Sequence, residues 1–430
     1  MNYLIREVVW HQKADPLSGH RFCFRIKNGR LAEMADVLQP EPGEMVFEGK
    51  GASISPGWVD LMARPGAPGN PRNESLESFS RAAAAGGFTR VMILPDTRPV
   101  LDNIESVGFY LDRKTDNGVR FLVSAAATSG LGGKKMAEIL RLQEAGASAF
   151  FNSGSLNDAA FQARILLYMK HGNNLLMEIP LDPELSLGGQ MHEGQISDSR
   201  GLSGIPSVAE WLMTDRNISL LDYTGGKMHL ACLTTPESVE KVSLAREKGL
   251  DISCSIASNY LAFNHTALDH FQTVHKVWPP YRDEESRLGL IQKLKSGQVD
   301  TVVSLHTPLH YDFKEIEFEN AGFGISHLET SFSGLVTYGG ITDPITLVSL
   351  FCNGPLKIIN KPVARLEVGM EADFTVFDSE AEWTLSKEHW QSKSYNNPWF
   401  GSKMKGLVVA VATQKGIFPN PHALSARYFL

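Results

Sequence analysis

Cysteine is scarce in this chain, and long apolar runs are missing. Its 430 residues include four cysteines (Cys23, Cys232, Cys254 and Cys352), and no two of them are spaced as a C-x-x-C pair. This spacing argues against a disulfide scaffold and against a thiolate zinc site, and it is typical of a reducing compartment. No stretch approaches the ~18 uninterrupted apolar residues of a membrane span, and the first residues lack the apolar centre of a signal peptide. We therefore expect a cytoplasmic protein that does not cross a membrane.

The chain also lacks an excess of positive charge. Lysine and arginine number 41 against 48 aspartates and glutamates, which gives a formal net charge of −7. A mildly acidic chain has no general attraction to nucleic acid or to an anionic membrane, so we expect neither as a partner. What the composition does provide is 43% hydrophobic residues. At this length, that is enough for one large core and a smaller module.

Short apolar runs recur through the middle of the chain. They lie at residues 54–62, 89–95, 120–126, 147–152, 174–180, 227–233, 250–256 and 299–305. Several are apolar throughout, which is typical of strands buried on both faces of a parallel sheet. The stretches between them suit helices, for example 74–85, 134–144 and 236–247, and a glycine follows each of these three closely, as at a helix C-cap. The alternation predicts an α/β fold with a (β/α)8 TIM barrel over residues 53–363.

The segments before and after this alternating region have a different sequence pattern. Residues 1–52 are punctuated by glycine and proline, and short strands return near the end at 373–378 and 406–413. We therefore predict a small β-rich module, a β-sandwich, built from residues 1–52 and 364–430, with the barrel inserted between them. Residues 182–207 are rich in glycine and serine and have no strong period, so they are predicted to form a long loop at the barrel mouth.

A set of motifs in sequence order leads to a family. The motifs are SPGWVD at 55–60, AAAAGGFT at 82–89, LPDTRPVLDN at 94–103, PPYR at 279–282, DFTVFD at 373–378 and SKS at 392–394. Together they resemble dihydroorotases of the amidohydrolase superfamily, over residues 50–415. The resemblance implies a barrel of amidohydrolase type, the dihydroorotase activity and a zinc cofactor.

The resemblance also implies a set of metal ligands, and here the chain departs from the family. Dihydroorotases use a metal-activated hydroxide, which requires histidines and carboxylates at the carboxyl ends of the barrel strands. The positions of the family's ligands and of its catalytic aspartate fall on Met62, Arg64, Asn152, Ile179, Cys232 and Leu305. Methionine, isoleucine and leucine offer zinc no hard lone pair, and arginine stays protonated. We therefore expect no bound metal and no other cofactor.

Polar residues remain near the predicted strand ends. The candidates for a remodelled pocket are Arg64, Asp96, Glu178, Cys232 and His306. Arg64 either pairs with Asp96 or Glu178 and fills the vacated space, or binds an anion in a remodelled pocket. Cys232 is either a small core residue or a nucleophile or soft ligand, and His306 is either a structural hydrogen-bonding residue or part of a shifted metal pair.

Three functions are compatible with this reading. The first is a catalytically inactive dihydroorotase homologue that acts as a non-catalytic subunit or scaffold in pyrimidine biosynthesis. The resemblance suggests aspartate carbamoyltransferase as its partner and a homodimer as its oligomeric state. The second is a hydrolase of cyclic amides that uses a rebuilt site around the surviving polar residues. The third is a ligand sensor whose barrel binds a metabolite without converting it.

Overall fold

The computed structural model describes residues 2–152 and 156–424. The strands before the barrel are β1 (Tyr3–Trp10), β2 (Arg21–Lys27), β3 (Arg30–Ala35), β4 (Met45–Glu48) and β5 (Ser53–Pro56). The strands of the middle region are β6 (Trp58–Ala63), β7 (Phe88–Ile93), β8 (Arg120–Ala126), β9 (Ala149–Asn152), β10 (Leu175–Glu178), β11 (Met191–His192), β12 (Gly204–Ile205), β13 (Lys227–Leu230), β14 (Ile252–Ala257) and β15 (Thr301–Val303). The last strands are β16 (Asp373–Thr384), β17 (Lys403–Thr413) and β18 (Gly416–Pro419).

The helices lie mainly between the strands of the middle region. They are α1 (Leu76–Ala85), α2 (Ile104–Leu111), α3 (Ile139–Glu144), α4 (Ala159–His171), α5 (Gln195–Arg200), α6 (Val208–Thr224), α7 (Pro236–Glu247), α8 (Asn259–Ala262), α9 (Glu284–Lys295), α10 (Ser331–Gly334), α11 (Pro344–Val348) and α12 (Gly354–Ile358). Within the described residues, no helix combines the length and the apolar character that crossing a membrane requires.

The predicted (β/α)8 barrel is confirmed. Over the described part of the chain, eight parallel strands lie in the order β15-β14-β13-β10-β9-β8-β7-β6. The two ends of this sheet meet, because the backbone N–H of Arg64 donates to the carbonyl of His306 at 2.9 Å. Asp60 on β6 adds a second link, since its Oδ1 accepts from the backbone N–H of Ser304 at 2.9 Å. Both faces of these strands are buried, and this explains why their sequences are apolar throughout.

Helix α1 shows how the local sequence sets its own boundaries. Ser75 is the N-cap and accepts from the backbone N–H of Ser78 at 3.1 Å. The helix ends at Ala85, and Gly87 follows with φ of +87°. A Cβ on Gly87 would lie 2.8 Å from the ring of Trp58, so the turn requires glycine both for its conformation and for space.

Strands from both ends of the chain form the second sheet, outside the barrel. Its path runs β18-β17-β16-β5-β1-β2-β3, with β4 paired to β1. The sheet has its own apolar core, in which the ring of Phe374 lies 6.2 Å from that of Trp10 and 5.7 Å from that of Phe24. A β-rich module from both termini is thus present, and residues 425–430 of the predicted module lie outside the described residues.

Three segments differ from the sequence prediction. The helix predicted at 134–144 begins only at Ile139, as α3. The apolar run 54–62 is not one strand: β5 belongs to the module sheet and β6 to the barrel, and Gly57 separates them. A Cβ on Gly57 would lie 2.1 Å from Oδ1 of Asp373, so the chain changes sheets where only glycine fits. The prediction of a plain loop at 182–207 was also wrong, because β11, α5 and β12 lie there. Strands of two residues are too short to produce a period in the sequence.

Candidate functional site

The carboxyl ends of the barrel strands collect the positions that the sequence singled out. In a parallel barrel these ends share one face, and active sites of such barrels lie there. Met62 is near the end of β6, Asn152 and Glu178 end β9 and β10, and Cys232 follows β13. What these side chains contact decides what the site can do.

Met62 and Cys232 meet inside the barrel. The Cys232 Sγ lies 3.5 Å from the Met62 Sδ, and both residues are fully buried. The backbone N–H of Cys232 donates to the Ser255 hydroxyl at 3.2 Å, which holds the turn after β13. Burial raises the pKa of the Cys232 thiol, so the thiolate needed for nucleophilic attack or for metal binding is disfavoured. Of the two interpretations of Cys232, the contacts favour a core residue.

Arg64 and Asp96 form a half-buried ion pair at the barrel mouth. The Arg64 Nε donates to the Asp96 Oδ2 at 2.8 Å, and its NH1 donates to the Thr307 hydroxyl at 3.2 Å. These residues line a cavity of about 150 Å³, together with Asn73 and Arg98. The other carboxylate oxygen of Asp96 is buried and has no hydrogen-bond partner among the described residues. The expected pairing of Arg64 with a carboxylate is therefore present, with Asp96 as the partner.

Glu178 was the other expected partner of Arg64, and its side chain lies elsewhere. Its Oε2 accepts from the Gln162 side chain on α4 and from the Asn217 side chain on α6, both at 2.9 Å. These helices pack on the outside of the barrel, so the carboxyl group is directed away from the mouth. Burial raises the pKa of Glu178 to about 7, although the nearby Arg216 opposes this shift.

The His306 side chain does not line the Arg64 cavity, although the His306 carbonyl accepts from the backbone N–H of Arg64. Its Nδ1 accepts from the backbone N–H groups of His327 at 3.0 Å and Leu328 at 3.3 Å. A nitrogen that accepts two N–H bonds carries no proton, so in the neutral ring the proton is on Nε2. That nitrogen is 3.6 Å from the Glu74 Oε2, and the ring lies 5.8 Å from that of Phe79 on α1. His306 therefore joins the end of the barrel to α1 and the segment before α10.

The remaining former ligand positions are occupied by groups with other partners or by apolar side chains. The Asn152 Oδ1 accepts from the Thr128 hydroxyl at 2.7 Å. Ile179 and Leu305 are each about 3% exposed, and Leu305 has a positive φ of 49° in the turn after β15. The two aliphatic side chains are buried at the end of the barrel, whereas Asn152 lines a cavity of about 690 Å³ together with Lys134 and Arg164.

This donor set does not fit zinc. Zinc in proteins is held by thiolates, imidazoles and carboxylates, and a catalytic site needs at least three of them. The set here comprises a thioether, a guanidinium already bound to Asp96, an amide bound to Thr128, a thiol whose pKa is raised, and two aliphatic side chains. Elsewhere in the described residues, no group of three or more histidines, cysteines or carboxylates has the spacing of a metal site.

Sequence reasoning missed a buried carboxylate inside the barrel. Asp60 is fully buried, and both of its oxygens accept from Ser304, one from the backbone N–H and one from the hydroxyl. Burial raises the pKa of Asp60 to about 7. The motif at 55–60 contained this residue, but nothing in the sequence paired it with the last barrel strand.

A second missed cluster ties the segment between β16 and β17 to the barrel. Glu74 accepts from the Ser392 hydroxyl and from the backbone N–H of Lys393 at 3.0 Å. Glu329 accepts from the backbone N–H groups of Gln391 at 3.0 Å and Ser392 at 2.8 Å. Burial, with the nearby Glu74 adding to it, raises the pKa of Glu329 to about 8. The SKS motif was the only signal in the sequence, and it carried no information about these contacts.

Several known proteins are similar to this chain over nearly its whole length. Residues 51–238 match a family model described as Dihydro-orotase-like. The dihydroorotase of Syntrophus aciditrophicus (strain SB) is 33% identical over 394 residues, which cover 90% of this chain and 92% of that protein. The dihydroorotase of Elusimicrobium minutum (strain Pei191) is 32% identical over 415 residues, with 95% of each chain covered. Among solved structures, the L-hydantoinase (dihydropyrimidinase) from Arthrobacter aurescens has a TM-score of 0.82 at 20% identity, over 96% of this chain and 95% of that one.

Proposed function

Since this chain belongs to the dihydroorotase-like family, we propose that it is a member that keeps the amidohydrolase barrel without the metal-dependent hydrolysis. In this proposal the chain acts as a non-catalytic subunit or scaffold in pyrimidine biosynthesis. Its barrel then provides a rigid surface for binding and does not catalyse a reaction.

One observation carries the proposal of inactivity. At two strand ends where the resemblance places metal ligands, Met62 and Cys232 instead pack sulfur against sulfur at 3.5 Å. Thioether and thiol are both buried, and the raised pKa of the thiol keeps it protonated. A metal-activated hydroxide would have neither an imidazole nor a carboxylate ligand at these two strand ends, and the space that it requires is filled with side chains.

The proposed partner is the aspartate carbamoyltransferase of the same organism. The choice of this partner is supported by the family resemblance, and the test is therefore a binding experiment. The two chains are co-expressed and run on a size-exclusion column, together and separately. Co-elution at a mass above either chain alone supports the scaffold. Two separate peaks at micromolar concentration count against it.

The second candidate is a hydrolase of cyclic amides with a rebuilt site. The names of the relatives, dihydroorotase and hydantoinase, favour it, as does the Arg64 cavity. Asp96, which lines this cavity, has one carboxylate oxygen without a hydrogen-bond partner among the described residues. The test is turnover of dihydroorotate and of hydantoins by the purified chain, with Asp96→Asn as the site variant. Activity that the substitution removes supports this candidate, and absence of turnover with both substrate types rejects it.

A ligand sensor is the remaining alternative. It differs from a scaffold in one measurable property, because a ligand that binds only the folded chain raises its melting temperature. A thermal shift with dihydroorotate, without turnover, would favour a sensor.

A further inference from the structure

A second cavity, of about 460 Å³, opens beside the barrel mouth. Three segments line it: 273–274 after β14, 309–315 after β15, and 387–396 between β16 and β17. It shares Leu309 with the Arg64 cavity but contains none of the six positions that the resemblance assigns to metal ligands or to the catalytic aspartate. Its volume lies in the range of about 300–1,000 Å³ that is usual for small-molecule sites.

The charge of this cavity is positive, although the whole chain carries a net charge of −7. Lys314, Lys387 and Lys393 line it, against one carboxylate, that of Glu315. Among the described residues, none of these three lysines forms an ion pair with a carboxylate. His310 also lines the cavity, and its Nδ1 lies 3.1 Å from the Asp312 carboxylate. Three lysines against one carboxylate at one cavity favour an anionic ligand.

Lys314 makes the strongest case, because its side chain is buried. The residue is 6% exposed, and its ammonium donates to the carbonyls of Thr273 at 2.8 Å and Lys276 at 3.0 Å. An ammonium has three N–H groups, so one remains for a further acceptor. Burial, with the charge of Lys276 adding to it, lowers the pKa of Lys314 to about 7, and an anion in the cavity would oppose that shift. A buried cation is costly unless an opposite charge compensates it.

Two aromatic side chains stand at the same cavity. Tyr311 and Tyr395 line it and are 61% and 54% exposed. The Tyr311 ring lies 4.1 Å from that of His310, and the Tyr395 ring lies 5.9 Å from that of Phe400, so both rings are held in place while much of their surface stays exposed. An exposed aromatic face beside a positive pocket is the arrangement with which proteins stack a planar ring next to a bound phosphate.

We propose that this cavity binds an organic phosphate that carries a planar ring. The phosphate would contact the Lys314, Lys387 and Lys393 ammoniums, and the ring would stack on Tyr311 or Tyr395. A phosphate monoester fits this site better than a carboxylate, because it carries close to two charges at neutral pH and three acceptor oxygens. The site is independent of the barrel interior, so it does not rest on the loss of the metal ligands.

The test is calorimetric titration of the full chain with uridine 5′-monophosphate, a small compound that has both groups. Uridine tests the phosphate requirement, and inorganic phosphate tests the ring requirement. The site variants are Lys387→Gln and Lys393→Gln, since both lysines are exposed and their replacement leaves the core intact. Lys248→Gln is the matched control, because Lys248 is also exposed and does not line the cavity.

The proposal predicts saturable binding of uridine 5′-monophosphate, at least about tenfold tighter than that of uridine or inorganic phosphate. Each site variant weakens this binding by about fivefold to tenfold, as expected for loss of one charge-assisted contact, and Lys248→Gln leaves it unchanged. The proposal is overturned by three results: no binding at millimolar nucleotide, equal binding of inorganic phosphate, or binding that both site variants leave intact.

Discussion

At the scale of single residues, the pair of Arg64 and Asp96 defines the character of the barrel mouth. Asp96→Asn removes the carboxylate that the Arg64 guanidinium contacts at 2.8 Å. Because the pair is half-buried and partly screened by solvent, we expect the free energy of unfolding to fall by about 1 kcal/mol in urea titrations.

The control for this substitution is a solvent-exposed ion pair on the protein surface. Arg141 and Glu138 lie 3.1 Å apart with side chains 69% and 70% exposed. Glu138→Gln should change the free energy of unfolding by no more than about 0.5 kcal/mol. Equal effects of Glu138→Gln and Asp96→Asn would mean that Arg64 and Asp96 are not a structural pair.

Glu329 makes stability depend on pH in a defined direction. Its pKa is raised from 4.5 to about 8 in the folded chain, so folding favours the protonated carboxyl group. The stability that this group contributes is fully present below about pH 4.5 and is lost as the pH rises through about 8. Glu329→Gln keeps a neutral side chain at all pH values. We therefore expect the free energy of unfolding of the variant to rise relative to that of the unmodified chain between pH 5 and 8.

Asp60 and Glu178 also have raised pKa values, so the difference between the two chains, rather than either curve alone, isolates Glu329. Urea unfolding at a series of pH values measures this difference. A constant difference across the range would show that Glu329 does not titrate with the raised pKa.

At the scale of elements, the ends of β6 and β13 depend on the contact between Met62 and Cys232. Met62→Ala leaves a void at a fully buried position, and we expect it to lower the free energy of unfolding by about 2–4 kcal/mol. Met62→Leu keeps most of the volume and should cost less than about 1.5 kcal/mol. If both substitutions are equally mild in denaturant titrations, the barrel interior at this position is open rather than packed.

The elements themselves follow closely from the sequence. Apolar runs marked the barrel strands because strands buried on both faces must be apolar, and α7 has the predicted bounds of 236–247. The change of sheet at Gly57 could not be predicted from the sequence. One uninterrupted apolar run contributes residues to two different sheets, and its hydrophobic pattern does not change at the point where the sheets separate. The same holds for β11 and β12, whose two-residue pairing depends on the tertiary structure around them.

The site was less predictable than the fold, because a periodic pattern in the sequence does not show in which direction a side chain points at the end of a strand. Arg64 had two candidate partners, Asp96 and Glu178, and both stand at carboxyl ends of barrel strands. The Asp96 side chain turns toward the mouth, whereas that of Glu178 turns to Gln162 and other partners on the outer helices. That the barrel strands end at one face follows from the sequence pattern, but which side chains share a cavity there is decided by packing.

At the scale of the whole molecule, residues 373–393 contact both ends of the barrel. Strand β16 of the module carries Asp373, which accepts from Arg90 and Arg120 on neighbouring barrel strands. The segment after β16 is held by Glu74 and Glu329 at the other end of the barrel. The contacts of Asp373, Glu74 and Glu329 thus join both ends of the barrel to segments that follow it in the chain.

The most direct test of this account is the zinc content of the purified full-length chain. Protein expressed with ample zinc is desalted and analysed by elemental mass spectrometry, with a zinc-containing dihydroorotase prepared in parallel. Because the strand ends present a thioether, a protonated thiol and a paired guanidinium instead of ligands, we predict far less than one zinc ion per chain. One or two tightly held zinc ions per chain would contradict the account and favour the metal-dependent hydrolase instead.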